Sequence, residues 1–161
     1  MKNKVVLFIF FGLMFILLGL FREWFFLNVN NIAYIKYYGK ATELAVPDVL
    51  IFIYNMEYET IYYLKYPFTI LSFLAFYGLS FWSLKSLTKD QTLLKWLSYS
   101  YLLILFLSII AMLWAYFVKV NLQDDEYTFS RWLMGIAQSP LVVLFLMAAS
   151  KLVPDKNLKE K

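Results

Sequence analysis

Four stretches of this chain carry no Asp, Glu, Lys or Arg at all: Val5–Phe21, Tyr66–Leu84, Trp96–Val118 and Trp132–Ser150. At 17 to 23 residues each, they match the roughly 17–25 mostly apolar residues that an α-helix needs to cross about 30 Å of hydrocarbon. They are apolar on every side, which excludes surface helices with one wet face, and they lack the period-two alternation of barrel strands. Backbone polar groups in lipid must be satisfied within their own segment, so helix is the expected form. With 62% hydrophobic and 16% charged residues in 161, the chain has too few charges to cover a water-soluble domain of its size. The expectation is an all-α integral membrane protein: a four-transmembrane-helix bundle in one membrane domain, residues 1–161, with helices at about 5–28, 60–84, 96–118 and 130–151.

Met1-Lys2-Asn3-Lys4 followed by an apolar run has the layout of a secretory leader. The segment Gly19-Leu20-Phe21-Arg22-Glu23 offers no pair of small residues for cleavage, so a retained anchor is expected. Basic residues set the orientation of such a chain. Nine Lys fall in the N-terminal tail, the loop after the second run and the C-terminal tail, against six Lys or Arg in the other two loops. Acids follow the opposite bias, with three beside the nine and eight beside the six. Both termini, including the tail 152–161, are expected in the cytoplasm, and the membrane is expected to be the bacterial inner (cytoplasmic) membrane. The net charge of +4 then faces anionic headgroups and is no signal for nucleic acid.

The connection from Arg22 to Lys65 is 44 residues long, and structureless loops of that length are rare. It holds Tyr34, Tyr37, Tyr38, Phe52, Tyr54, Tyr58, Tyr62 and Tyr63, and Tyr favours the boundary where ring and hydroxyl meet different solvents. An aromatic-rich extracytoplasmic cap over residues 29–59 is expected between helices 1 and 2. Pro47-Asp48 reads as a helix start, making Val49–Tyr54 a short buried or re-entrant helix. Two prolines fall inside expected spans, where each removes a backbone donor. Pro67 would leave the carbonyl of Tyr63 without its partner, and Pro140 that of Ile136, with Gln138 and Ser139 at hand as replacement partners.

The absence of His and Cys removes imidazole and thiol chemistry, and no two carboxylates are placed to face each other within the spans. No enzyme, cofactor or metal is expected. The polar residues needing explanation are Arg22, Glu23, Arg131, Gln138 and Ser139. Arg131, Gly135, Gln138 and Ser139 stand at i, i+4, i+7 and i+8, on one face of the fourth helix, as a polar seam that enters the bundle from outside. Arg22-Trp24 and Arg131-Trp132 fit interfacial anchors; the competing reading is a basic pocket for a lipid headgroup, a substrate carboxylate or an acidic residue of a partner. Ala111 with Ala115, and Gly135 with Ser139, have the spacing that lets helices approach closely, within the bundle or against another membrane subunit.

In this order of features the chain resembles the exosortase F system-associated membrane proteins of the Bacteroidota. The resemblance rests on Arg22-Glu23 with the aromatics that follow, Leu64-Lys65-Tyr66 leading into a segment with Thr69 and Ser72, the small basic loop after it, and Ser130-Arg131-Trp132-Leu133-Met134 followed by Gln138-Ser139-Pro140-Leu141. It implies an accessory protein working beside a protein-sorting transpeptidase. The expected function is thus a non-catalytic accessory or assembly subunit of a larger inner-membrane complex in protein sorting or secretion, with membrane lipids and other integral membrane subunits as partners. The alternative is a protein that binds lipid headgroups or small anions, with weak hydrolase or transferase activity using Glu23, Asp48 or Asp124.

Overall fold

The computed structural model describes residues 2–40, 44–88, 90–118 and 128–152. Among them every regular element is helical: α1 (Lys2–Tyr38), a 3-10 turn (Asp48–Leu50) leading into α2 (Ile51–Tyr54), α3 (Tyr58–Leu87), α4 (Gln91–Val118), α5 (Thr128–Ala137) and α6 (Leu141–Leu152). Lys4–Tyr38, Tyr58–Leu87 and Gln91–Trp114 are each long and apolar enough to cross a membrane. Phe129–Ala137 and Leu141–Ser150 pass the same test only together, as a pair bent by 62°. The described residues therefore hold three candidate spans, or four if the bent pair crosses as one. Asp124 and the tail residues 153–161 lie outside the described residues.

The helix ends depart from the expected ones for local reasons. Helix α1 continues to Tyr38 and not to about 28. Its asparagines, poor helix formers in isolation, are occupied: the Asn28 side-chain amide donates to the Trp24 carbonyl (2.7 Å) and that of Asn31 to the Leu44 carbonyl (3.0 Å). What ends α1 is Gly39, whose φ of +64° only glycine adopts without strain. Its N–H closes the last turn on the Ile35 carbonyl at 2.9 Å. Helix α4 begins at Gln91 and not near 96, because an Asp90 carboxylate oxygen accepts from the N–H groups of Thr92 (2.8 Å) and Leu93 (3.4 Å), an N-cap. The expected single helix over 130–151 is two helices, α5 and α6.

Two compact units make up the chain, residues 16–74 on one hand and the described residues of 1–15 and 75–161 on the other. In the first, α1 and α3 run antiparallel. The Phe25 ring stacks on Phe68 with 3.6 Å between centroids. Beyond that pair Val29, Ile32 and Ala33 of α1 enclose a core with Leu50 and Ile53 from the short helical segment and Ile61 of α3, and Phe25, Val46, Met56, Tyr58 and Leu64 pack around it. Leu50 and Ile53 are three residues apart and share the buried side, whereas Ile51, Phe52 and Tyr54 face outward.

In the second unit α4 is the central element, packed by both α5 and α6. Leu133 and Ala137 of α5, and Val142 and Val143 of α6, are buried. Helices α3 and α4 are joined by hydroxyl pairs in an apolar interior, Ser80 Oγ with Tyr101 Oη at 2.8 Å and Tyr77 Oη with Ser98 Oγ at 2.9 Å. The early part of α1 lies against α3 through rings: Phe11 meets Trp82 edge-on at 5.3 Å and Phe15 meets Phe76 at 6.2 Å.

Candidate functional site

Of the polar residues singled out in the sequence, Arg22 and Glu23 belong to the unit of residues 16–74, and Arg131, Gln138 and Ser139 to the other. Glu23 is exposed and Arg22 half-buried. The Arg22 guanidinium reaches forward along α1, with Cζ 5.6 Å from the centre of the Phe26 ring. Its Nε is enclosed and has no hydrogen-bond partner. The Phe26 ring in turn lies 5.3 Å from Phe68, which is 6.2 Å from Phe21, and Phe21 stacks with Trp24 at 6.2 Å.

The continuous face expected from Arg131 to Ser139 does not form. Pro140 has no N–H to give to Ile136, α5 stops at Ala137, and the positions i+7 and i+8 from Arg131 fall in the break. Arg131 is exposed while Gln138 is buried, because the face of α5 that packs inward is the Leu133–Ala137 stripe, on the far side of the helix from Arg131 and Gly135. At the break, Ser139 Oγ donates to the Ile136 carbonyl at 2.7 Å and accepts from the Leu141 N–H at 3.3 Å. One serine thus holds a carbonyl in the last turn of α5 and the first free donor of α6. Pro67, by contrast, sits within α3, which runs through it as one helix. Thr69 Oγ1, two residues on, donates to the Lys65 carbonyl at 2.7 Å.

The 62° bend makes a direct prediction. Pro140→Leu returns the missing N–H, and the pair should straighten. The chain has no cysteine, so spin labels on cysteines introduced at the exposed positions Phe129 and Phe145 report this distance alone. At 1.5 Å per residue, straightening lengthens it by about 3 Å.

Close helix approach at Gly135 is not found among the described residues. A Cβ built there meets no atom within 4 Å, so nothing presses against this position, and its pairing with Ser139 is cut by the end of α5. Ala111 is half-buried in α4, and the side chain of Ala115 lies outside the described residues. Asp48 is exposed, in the turn before α2.

A feature that single residues did not signal is an array of tyrosine rings in the unit of residues 16–74. Tyr34 touches Tyr38 (4.6 Å), Tyr38 touches Tyr37 (4.8 Å), and Tyr37 reaches across to Tyr58 on α3 (5.1 Å). From Tyr58 contacts pass to Tyr62 (6.3 Å) and on to Tyr63 (5.7 Å) and Tyr66 (6.1 Å). Two ammonium groups lie on rings beside the array, Lys36 over Tyr54 at 4.7 Å and Lys65 over Tyr62 at 5.6 Å. Tyr37 and Tyr63 remain 63% and 65% exposed, so the array is a surface and not a core. The spacing of Tyr58, Tyr62 and Tyr66 at i, i+4 and i+8 was visible in the sequence; the crossing from Tyr37 to Tyr58 depends on where α1 ends.

Among the described residues, fold and site together define a chain whose regular elements are all helical, with three to four candidate membrane spans, a half-buried arginine and an exposed tyrosine array. No family model matches the chain, and neither a curated protein nor a solved structure matches it.

Proposed function

We propose that this chain is a non-catalytic accessory or assembly subunit of a larger bacterial inner-membrane complex, a four-span bundle whose tyrosine array belongs to an extracytoplasmic cap. The observation that carries the reading is the extent of that array. Along α3 from Tyr58 to Tyr66 it rises through eight residue steps, about 12 Å at 1.5 Å per residue. The polar layer on each side of a bilayer is only about 5–8 Å deep. An interfacial girdle would fit within that layer; a surface about twice as tall offers rings to something beyond lipid. Exposed, rigid tyrosines with few rotatable bonds are the residues that anchor protein interfaces. The occupant that fits is another integral membrane subunit of the complex, in keeping with the role in protein sorting or secretion implied by the resemblance to exosortase F system-associated proteins.

Purification of the tagged protein at native level in a gentle detergent tests this, with mass identification of what co-migrates. A stoichiometric membrane partner is expected, and its recovery should fall at least tenfold with the pair Tyr37→Ala and Tyr63→Ala at unchanged yield and helicity. A protein that runs alone with lipid, or a partner indifferent to both substitutions, overturns the reading.

A further inference from the structure

Arg22 and Lys65 stand on antiparallel helices, yet both side chains lean toward the same end of their unit. On α1, which runs toward the tyrosine array, Arg22 reaches forward to Phe26, four residues on. On α3, which runs away from the array, Lys65 reaches backward to Tyr62, three residues earlier. Side chains on a helix tilt by default toward its N-terminus, so Lys65 follows the default and Arg22 goes against it. This is the posture of a charge drawn toward a polar boundary from the apolar side.

Register gives the depth. With Phe25 opposite Phe68, Arg22 lies level with Leu71, six residues deeper than Lys65, or about 9 Å at 1.5 Å per residue. Glu23, the next residue, is exposed; its charge acts on Arg22 through space, but successive residues on a helix point apart and it gives the Arg22 Nε no hydrogen bond. The guanidinium rests over a ring, which leaves its in-plane N–H donors for a second acceptor. Its Nε–H is enclosed without any acceptor.

We infer that Arg22 is the anchor of a phosphate-binding site for a membrane phospholipid, whose headgroup phosphate is held by the guanidinium fork. Phosphate oxygens match the planar fork two at a time, and phospholipid is the phosphate that the surroundings supply at this depth. A free phosphate ion offers the same oxygens but has no acyl chains to hold it in the membrane. The site is independent of the accessory role, and either can fail alone.

Native mass spectrometry of the full chain released from mild detergent tests it, with phosphatidylglycerol as the probe lipid and inorganic phosphate as the competing anion. Wild-type protein is expected to retain one phosphatidylglycerol under collisional activation that strips detergent, with millimolar inorganic phosphate failing to displace it. Retention should fall at least tenfold in Arg22→Gln and about threefold or more in Arg22→Lys, which keeps the charge without the fork. Circular dichroism checks that each variant is helical; if Arg22→Gln is not, Arg22→Lys decides. Equal retention in a folded variant and wild type overturns the inference. So does displacement by inorganic phosphate, which would make the site one for a dissolved anion.

Discussion

Ile53→Ala is expected to release the segment from Val46 to Met56 while leaving the helices it covers in place. Ile53 is 1% exposed and sits among Val29, Ile32, Ala33, Leu50 and Ile61. Truncating such a residue removes its transfer free energy and leaves a hole, and costs about 2–5 kcal/mol. With 1.4 kcal/mol per decade, about 3 kcal/mol is a roughly 100-fold rise in the open population of this segment. Amide exchange at Leu50–Tyr54 and protease cleavage in the same stretch should accelerate by that factor. Phe52→Ala serves as the contrast: its ring is 58% exposed, and an outward-facing substitution falls within about 0.5 kcal/mol. Equal acceleration in both variants would show that the segment is held by something other than this core.

The second large effect is expected at Tyr101, 2% exposed, with its hydroxyl against Ser80 at 2.8 Å and its ring 5.2 Å from that of Tyr77. Tyr101→Ala should weaken the α3–α4 pairing by about 3 kcal/mol, the low end of the range for aromatic truncations in aqueous cores. The low end applies because hydrocarbon surrounds these helices, so lost packing counts and lost transfer from water does not. Tyr101→Phe keeps the ring and should cost only about 0.6 kcal/mol, the average for a hydrogen bond between membrane helices. Unfolding titrations in sodium dodecyl sulfate separate the two. A Phe variant as weak as the Ala variant would mean that the hydroxyl pair, and not the ring, holds the hairpin.

How far the sequence carried depended on the range of each signal. Charge-free runs are local and long, and α1, α3 and α4 follow from them. Missing donors are local too: Pro140 announced that the Ile136 carbonyl needs another partner, and Ser139, three residues from that carbonyl, is close enough to provide it. Helix ends were harder. The first helix was expected to end near Asn28, but Asn31 is occupied by Leu44, thirteen residues away, a partner that only the folded segment supplies. Lys95 looked like a boundary, and the deciding residue was Asp90, whose cap adds a turn before it. Contacts between helices were out of reach. That Ser80 meets Tyr101, or that Tyr37 meets Tyr58, depends on rotation and register of two helices, and neither is written in the apolar pattern of either one. The seam along Arg131, Gly135, Gln138 and Ser139 failed for a related reason, because a face drawn through Pro140 assumes a helix that the proline itself interrupts.

The core formed by Val29, Ile32, Ala33, Leu50, Ile53 and Ile61 uses one continuous stretch of sequence, which bears on the order of events at the ribosome. Every residue of it has been made once Ile61 is added, 30 residues before α4 begins at Gln91. At about 5–20 residues per second, that leaves about 1.5–6 s of synthesis, far longer than the microseconds in which helices form and short loops close. The residues of α4, α5 and α6 thus emerge beside a unit that is already built, and any factor that recognises its tyrosines can do so on the nascent chain.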